Sequence, residues 1–145
     1  MPSSVERVSD DVDAFIARVT PAKRQRDAEV LLELYGRVTG LEPELWGSIV
    51  GYGGYHYRYA TGREGDTPAA AFAPRKAATS IYLMDGVGTH HELLGRLGPY
   101  SSGVGCLYLR DLTINDLGVL EQIVTASFRA LTAGTFTDRA REHHN

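Results

Sequence analysis

Arg75 and Lys76 stand side by side after Pro74, where an apolar run gives way to a polar one. Two adjacent cations at a strand end can hold a carboxylate or a phosphate. Arginine presents a planar fork of donors, and lysine a compact point charge. The pair also has a plainer reading, with Arg75 tied to an internal carboxylate and Lys76 solvated. Tyrosine is the second chemical resource. Tyr52, Tyr55, Tyr57, Tyr82 and Tyr108 all fall on segments patterned as strands. Their rings could wall a pocket and stack a flat ligand, with hydroxyls left to hydrogen-bond it. They also suit a half-buried sheet on packing grounds alone. The binding residues expected from this reading are Arg75, Lys76, Tyr55, Tyr57 and Tyr108.

Acidic residues offer a different chemistry. Glu6, Asp10, Asp11 and Asp13 cluster near the N-terminus, with Asp27, Glu29 and Glu33 further on. Carboxylate oxygens suit hard cations such as Ca²⁺ or Fe²⁺, so Asp10, Asp11 and Asp13 form a weak alternative metal set. Acids in the first turn of a helix are also what the helix dipole favours.

Other motifs fail on inspection. Gly51-Tyr52-Gly53-Gly54 lacks the lysine and hydroxyl of a phosphate loop, and His56 stands where a dinucleotide fingerprint needs glycine. Those glycines read instead as a bend or a close backbone approach. His90-His91-Glu92 is not a zinc-protease helix, because Gly95 occupies the place of the second histidine. Cys106, in an apolar strand, reads as a buried structural thiol. Ser101 and Ser102 have no nucleophile elbow around them. No nucleophile–base set is recognisable, and the reading leans against an enzyme.

These residues need elements to position them. Ser9 and the acids after it start a helix whose apolar face is Val12, Phe15, Ile16 and Val19. Thr20-Pro21 starts a second helix, with Thr20 as cap and Ala28, Leu31, Leu32, Tyr35 and Val38 as its stripe, stopped at Gly40. Ile49 to Tyr59 alternates as a strand, with Gly53-Gly54 bending it. Thr61 to Pro68 reads as a polar turn. Ala69 to Ala73, Thr79 to Met84 and Cys106 to Leu109 read as strands, with a short helix over Thr89 to Leu97 and a loop over Gly98 to Gly105. Thr113 and Asp116 resemble a capping box for a last helix lined by Leu117, Leu120, Val124, Phe128 and Leu131. Helices thus segregate from consecutive strands. The expected fold is a two-layer α+β domain, an antiparallel β-sheet packed against N-terminal and C-terminal helices. One domain spans 1–134, and a polar tail follows over 135–145.

Composition narrows the class. The chain has 145 residues, 43% hydrophobic and 23% charged, which fits one globular core. A net charge of -3 argues against a nucleic-acid partner. The single cysteine makes no internal disulfide. No apolar run is long enough for a membrane span, and the acidic start does not read as a signal peptide. A cytoplasmic protein with no membrane partner is expected.

Three segments also resemble one family. They are Trp46-Gly47-Ser48-Ile49-Val50-Gly51-Tyr52-Gly53 with Tyr55-His56-Tyr57, then Phe72-Ala73-Pro74-Arg75-Lys76, then Leu97-Gly98-Pro99-Tyr100 through Gly103 to Cys106-Leu107-Tyr108-Leu109. In order and spacing they resemble the YdhG-like family of domains of unknown function, over about Ala28 to Ser127. That resemblance implies a small α+β fold related to frataxin-like domains, and one branch of the family implies intracellular iron delivery. The leading expectation is a small cytosolic binding domain that takes an anionic or aromatic small ligand, or a partner peptide, at a sheet–loop cleft, with no cofactor. A frataxin-like iron chaperone using the acidic helices is one alternative. A non-catalytic homodimer is another.

Overall fold

In the computed structural model the described residues are 9–58, 62 and 64–133. The expected tail, Glu6 and Tyr59 lie outside them, as do the side chains of Asp10, Tyr55 and Tyr57.

Apolar residues at helical spacing make the N-terminal pair of helices. Helix α1 is Ser9–Ala17, and it buries Val12 and Ile16, with Val19 just past its end. Helix α2 is Ala22–Thr39 and buries Ala28, Leu31, Leu34 and Tyr35. Gly40 stops α2 in the left-handed region at φ 70°, where glycine has no Cβ to clash, and its N–H donates to the Gly36 carbonyl at 2.8 Å. Thr20 does not cap α2. Pro21 holds the cap position in extended backbone with no side-chain cap, which leaves Thr20 one residue too far upstream.

The strands are β1 Glu44–Trp46, β2 Ile49–Tyr52, β3 Tyr55–Arg58, β4 Glu64–Thr67, β5 Ala70–Pro74, β6 Thr79–Tyr82, β7 Ser101–Ser102 and β8 Cys106–Leu109. Six of them form one antiparallel sheet in the order β1-β2-β5-β6-β8-β7, and β3 pairs with β4 in a separate hairpin. Three expectations are corrected here. The strand expected over Ile49 to Tyr59 is broken at Gly53, whose φ of 66° sends the two halves into different sheets. The turn expected over Thr61 to Pro68 contains β4, which pairs with β3 despite its polar sequence. Strand β7 interrupts the expected loop.

Alternation divides the main sheet into two faces. Val50, Phe72, Ile81 and Leu107 lie in cross-strand register and are fully buried. They meet α2 and the last helix, α4 Leu117–Leu131, which buries Val119, Leu120, Ile123, Val124 and Leu131. The result is the expected two-layer α+β arrangement, with helices from both ends of the chain on one face. A short helix, α3 His91–Leu94, continues a 3-10 turn over Val87–His90.

The start of α4 differs from expectation. Leu112–Ile114 form a 3-10 turn that Asp111 caps, so Thr113 is spent there. Asp116 caps α4 alone, its Oδ1 accepting from the Val119 N–H at 3.0 Å. Leu117, expected on the apolar face, is 38% exposed.

Candidate binding face of the sheet

The opposite face of the sheet is built from the alternate residues. Gly51, Ala71, Ala73 and Ser80 are buried there, and Trp46, Tyr82, Cys106 and Tyr108 flank them. Gly51 is required by close approach. A Cβ on it would stand 2.8 Å from Pro68 Cβ and 2.9 Å from Trp46 Cδ1. Cys106 is half-buried rather than sealed in the core, because its parity puts it on this outer face while Leu107 and Leu109 point to the helices.

Arg75 continues the outward series of Ala71 and Ala73 beyond the end of β5. Its guanidinium is exposed. One nitrogen donates to Ser48 Oγ at 2.7 Å, in the turn between β1 and β2, and another to the Tyr82 hydroxyl at 3.3 Å. No carboxylate pairs with it among the described residues. The Tyr82 ring is held in place by a small apolar cluster of Ala69, Met84 and Leu131. Arg75, Ser48 and Tyr82 thus form a fixed arrangement of one cation and two hydroxyls.

The structure does not bring Arg75 and Lys76 to one place. Lys76 is exposed and lines a different hollow of about 330 Å³, with Phe15, Arg18, Val19, Thr20 and Pro74. The cause lies in the turn after β5. There the main-chain carbonyls of Arg75 and Ala77 are both taken by the buried Arg24, whose Nε and Nη2 donate at 2.9 and 3.1 Å. Arg24 also donates to the Arg110 carbonyl at 2.8 Å, and it lies 3.6 Å from Asp27, which accepts from the Leu112 N–H. This buried pair on α2 fastens the ends of β5, β6 and β8 at once.

Tyr108 belongs to a third place. It is 36% exposed and lines a cleft of about 270 Å³ between β8, the strand-end loop and the 3-10 turn. Tyr100, Arg110, Ile114 and Asn115 line the same cleft. Tyr52 is fully buried instead, packed 5.3 Å from the Tyr35 ring with its hydroxyl on the Leu32 carbonyl. That burial pushes its phenol well above the ordinary range.

Of the acidic set, Asp11 is half-buried and Asp13 exposed on α1. The described residues contain no group of three histidine, cysteine or carboxylate side chains placed to hold a metal.

One polar network escaped the sequence reading. Asp85 accepts from Ser127 Oγ at 2.6 Å on one oxygen and meets His90 Nε2 at 2.9 Å on the other. With Asp85 ionised, the Nε2–H tautomer of His90 makes this bond. Its carboxyl is held below the ordinary carboxylate value: burial pushes it up, but the bonds from His90 and Ser127 outweigh that. This is not a nucleophile–base relay. The carboxylate sits between hydroxyl and imidazole, so His90 is not placed on Ser127 as its base. Asp85 to Ser127 spans 42 residues, and no local spacing announces it.

Compared with protein-family models, with curated proteins and with solved structures, the chain has no match.

Proposed function

We propose that this chain is a small binding module that takes a carboxylate or phosphate-ester ligand on the outer face of its sheet. Arg75, Ser48 and Tyr82 make the contact. The observation behind this reading is the exposed Arg75 guanidinium, held by two neutral hydroxyls and by no carboxylate among the described residues. Each hydroxyl accepts from arginine and keeps an O–H of its own to donate. An arriving anion would therefore meet the remaining guanidinium N–H groups and two O–H donors, already oriented. Lys76 lines a separate hollow, so it does not add its charge to that of Arg75. The resemblance to YdhG-like domains belongs to the same reading, since Ser48 and Arg75 sit in two of the three resembling segments. A cytosolic setting is part of the proposal.

Ligand-detected NMR against a library of small carboxylates and phosphate esters tests it. Wild type should give hits that Arg75→Ala weakens by about tenfold or more, the scale of a lost charge-assisted hydrogen bond. Tyr82→Phe should weaken the same hits less. Identical hits for wild type and Arg75→Ala would end the proposal.

A further inference from the structure

Arg110 presents a second guanidinium that no other group among the described residues occupies. Its main-chain carbonyl is fixed by Arg24, while its exposed side chain has no hydrogen bond or ion pair among the described residues. It rims the cleft of about 270 Å³ that Tyr100, Tyr108 and Ile114 also line. Tyr100 is 43% and Ile114 57% exposed, so the walls are apolar and open to a ligand. Asp111 stands on the same rim but does not cancel Arg110. Its carboxylate is already engaged by Thr113, and Lys23 and Arg26 lie within 3.8 Å of it.

The cleft is built rather than incidental. Asn115 donates through Nδ2 to the Leu97 and Pro99 carbonyls at 3.2 and 3.0 Å, which fixes the loop that carries Tyr100. Gly98 lies directly over this contact, where a Cβ would come within 2.8 Å of the Ile114 carbonyl oxygen. Asn115 is itself buried, and its Oδ1 has no hydrogen-bond partner among the described residues.

We propose that this cleft is a second ligand site, separate from Arg75, which takes a small aromatic carboxylate. A single ring fits between the two tyrosines in offset or edge-on contact. Its carboxylate faces the Arg110 fork. The volume falls at or below the lower end for drug-sized pockets, which selects one ring over a fused system.

Benzoate is the probe, with benzamide as its neutral isostere and acetate as the ringless acid. Each is titrated into the ¹⁵N-labelled full chain while the backbone amides of Ser101, Ile114 and Asn115 are followed. Benzoate should shift these amides saturably, and benzamide and acetate should each bind about tenfold more weakly. Arg110→Gln should bring benzoate down to the level of benzamide, and Tyr100→Ala should weaken benzoate and benzamide alike. Arg75→Ala should leave the titration unchanged, which separates this site from the one proposed above. The inference is overturned if benzoate gives no saturable shift, if Arg110→Gln binds benzoate as wild type does, or if the shifts fall only at Ser48 and Arg75.

Discussion

Arg24 and Arg75 meet at one turn, yet their guanidinium groups have opposite surroundings. Arg24 is 3% exposed and spends three nitrogens on carbonyls from the ends of three strands. Asp27 lies beside it, with Oδ2 on the Leu112 N–H and Oδ1 3.7 Å from Arg26, too long for a hydrogen bond. Replacing Arg24 by methionine would strand those carbonyls and leave Asp27 buried without its partner. Breaking a buried pair in this way costs about 3–5 kcal/mol. Urea denaturation should therefore show Arg24→Met falling by that amount. Arg75→Ala should stay within about 0.5 kcal/mol of wild type, as surface changes do. That contrast also keeps the binding test on Arg75 interpretable. The sequence held a clue to Arg24 that a reading by residue type passes over. Arg24 falls in helical register with Ala28, Leu31 and Tyr35, on the buried face of α2. A charge in an apolar stripe with an acid three residues on is the pattern of a buried pair.

At the level of elements, helices were legible and short polar strands were not. The stripes of α1 and α2 gave the right buried faces because an amphipathic helix repeats its signal over several turns. Strands β4, with the sequence Glu-Gly-Asp-Thr, and β7, with two serines, carry no apolar alternation. Pairing with β3 and β8 makes them strands, and pairing is not a local property. The glycine run over 51–54 predicts a bend or a close approach, and it supplies both. Gly53 makes the bend, and Gly51 lets Trp46 and Pro68 close over the sheet. Gly51→Ala should push one of them away, at a cost of about 1–3 kcal/mol typical of overpacking. Thermal melting measures the loss. Trp46 is the only tryptophan, so its emission should report the displacement directly. An unchanged melt with unchanged emission would show that the face accommodates a methyl group. Of the candidate site, Arg75 and Tyr108 were visible by type. Their separation into two places was not, because it depends on the register that sets Tyr108 opposite Ser80 and Ser101.

The whole molecule is held as two layers, and one polar contact joins α4 to the turn after β6. Ser127 lies on the buried side of α4 and bonds Asp85, while His90 binds the same carboxylate from the 3-10 turn. All three side chains are shielded from water, so the contact keeps more of its strength than an exposed one. By contrast Arg37 and Glu121, which pair at 2.9 Å between α2 and α4, are solvated and contribute little. Acid should therefore act on the helix layer through Asp85. Its folded pKa is depressed below the ordinary 3.8. A depressed carboxyl favours the folded state fully above the unfolded pKa, and that share is lost as pH falls through the folded value. Stability should thus be level with respect to this group at neutral pH and should decline below about pH 4. Asp111 is depressed as well, by its bonds to Thr113, but it is only half-buried and outside the α2–α4 core. Melting temperatures from pH 7 down to 2 for wild type, Asp85→Asn and Asp111→Asn separate the two. Asp85→Asn should start lower at neutral pH and fall less in acid, so that its curve converges on wild type. Curves that stay parallel through the acid range would place the titration elsewhere and leave Asp85 as a packing contact alone.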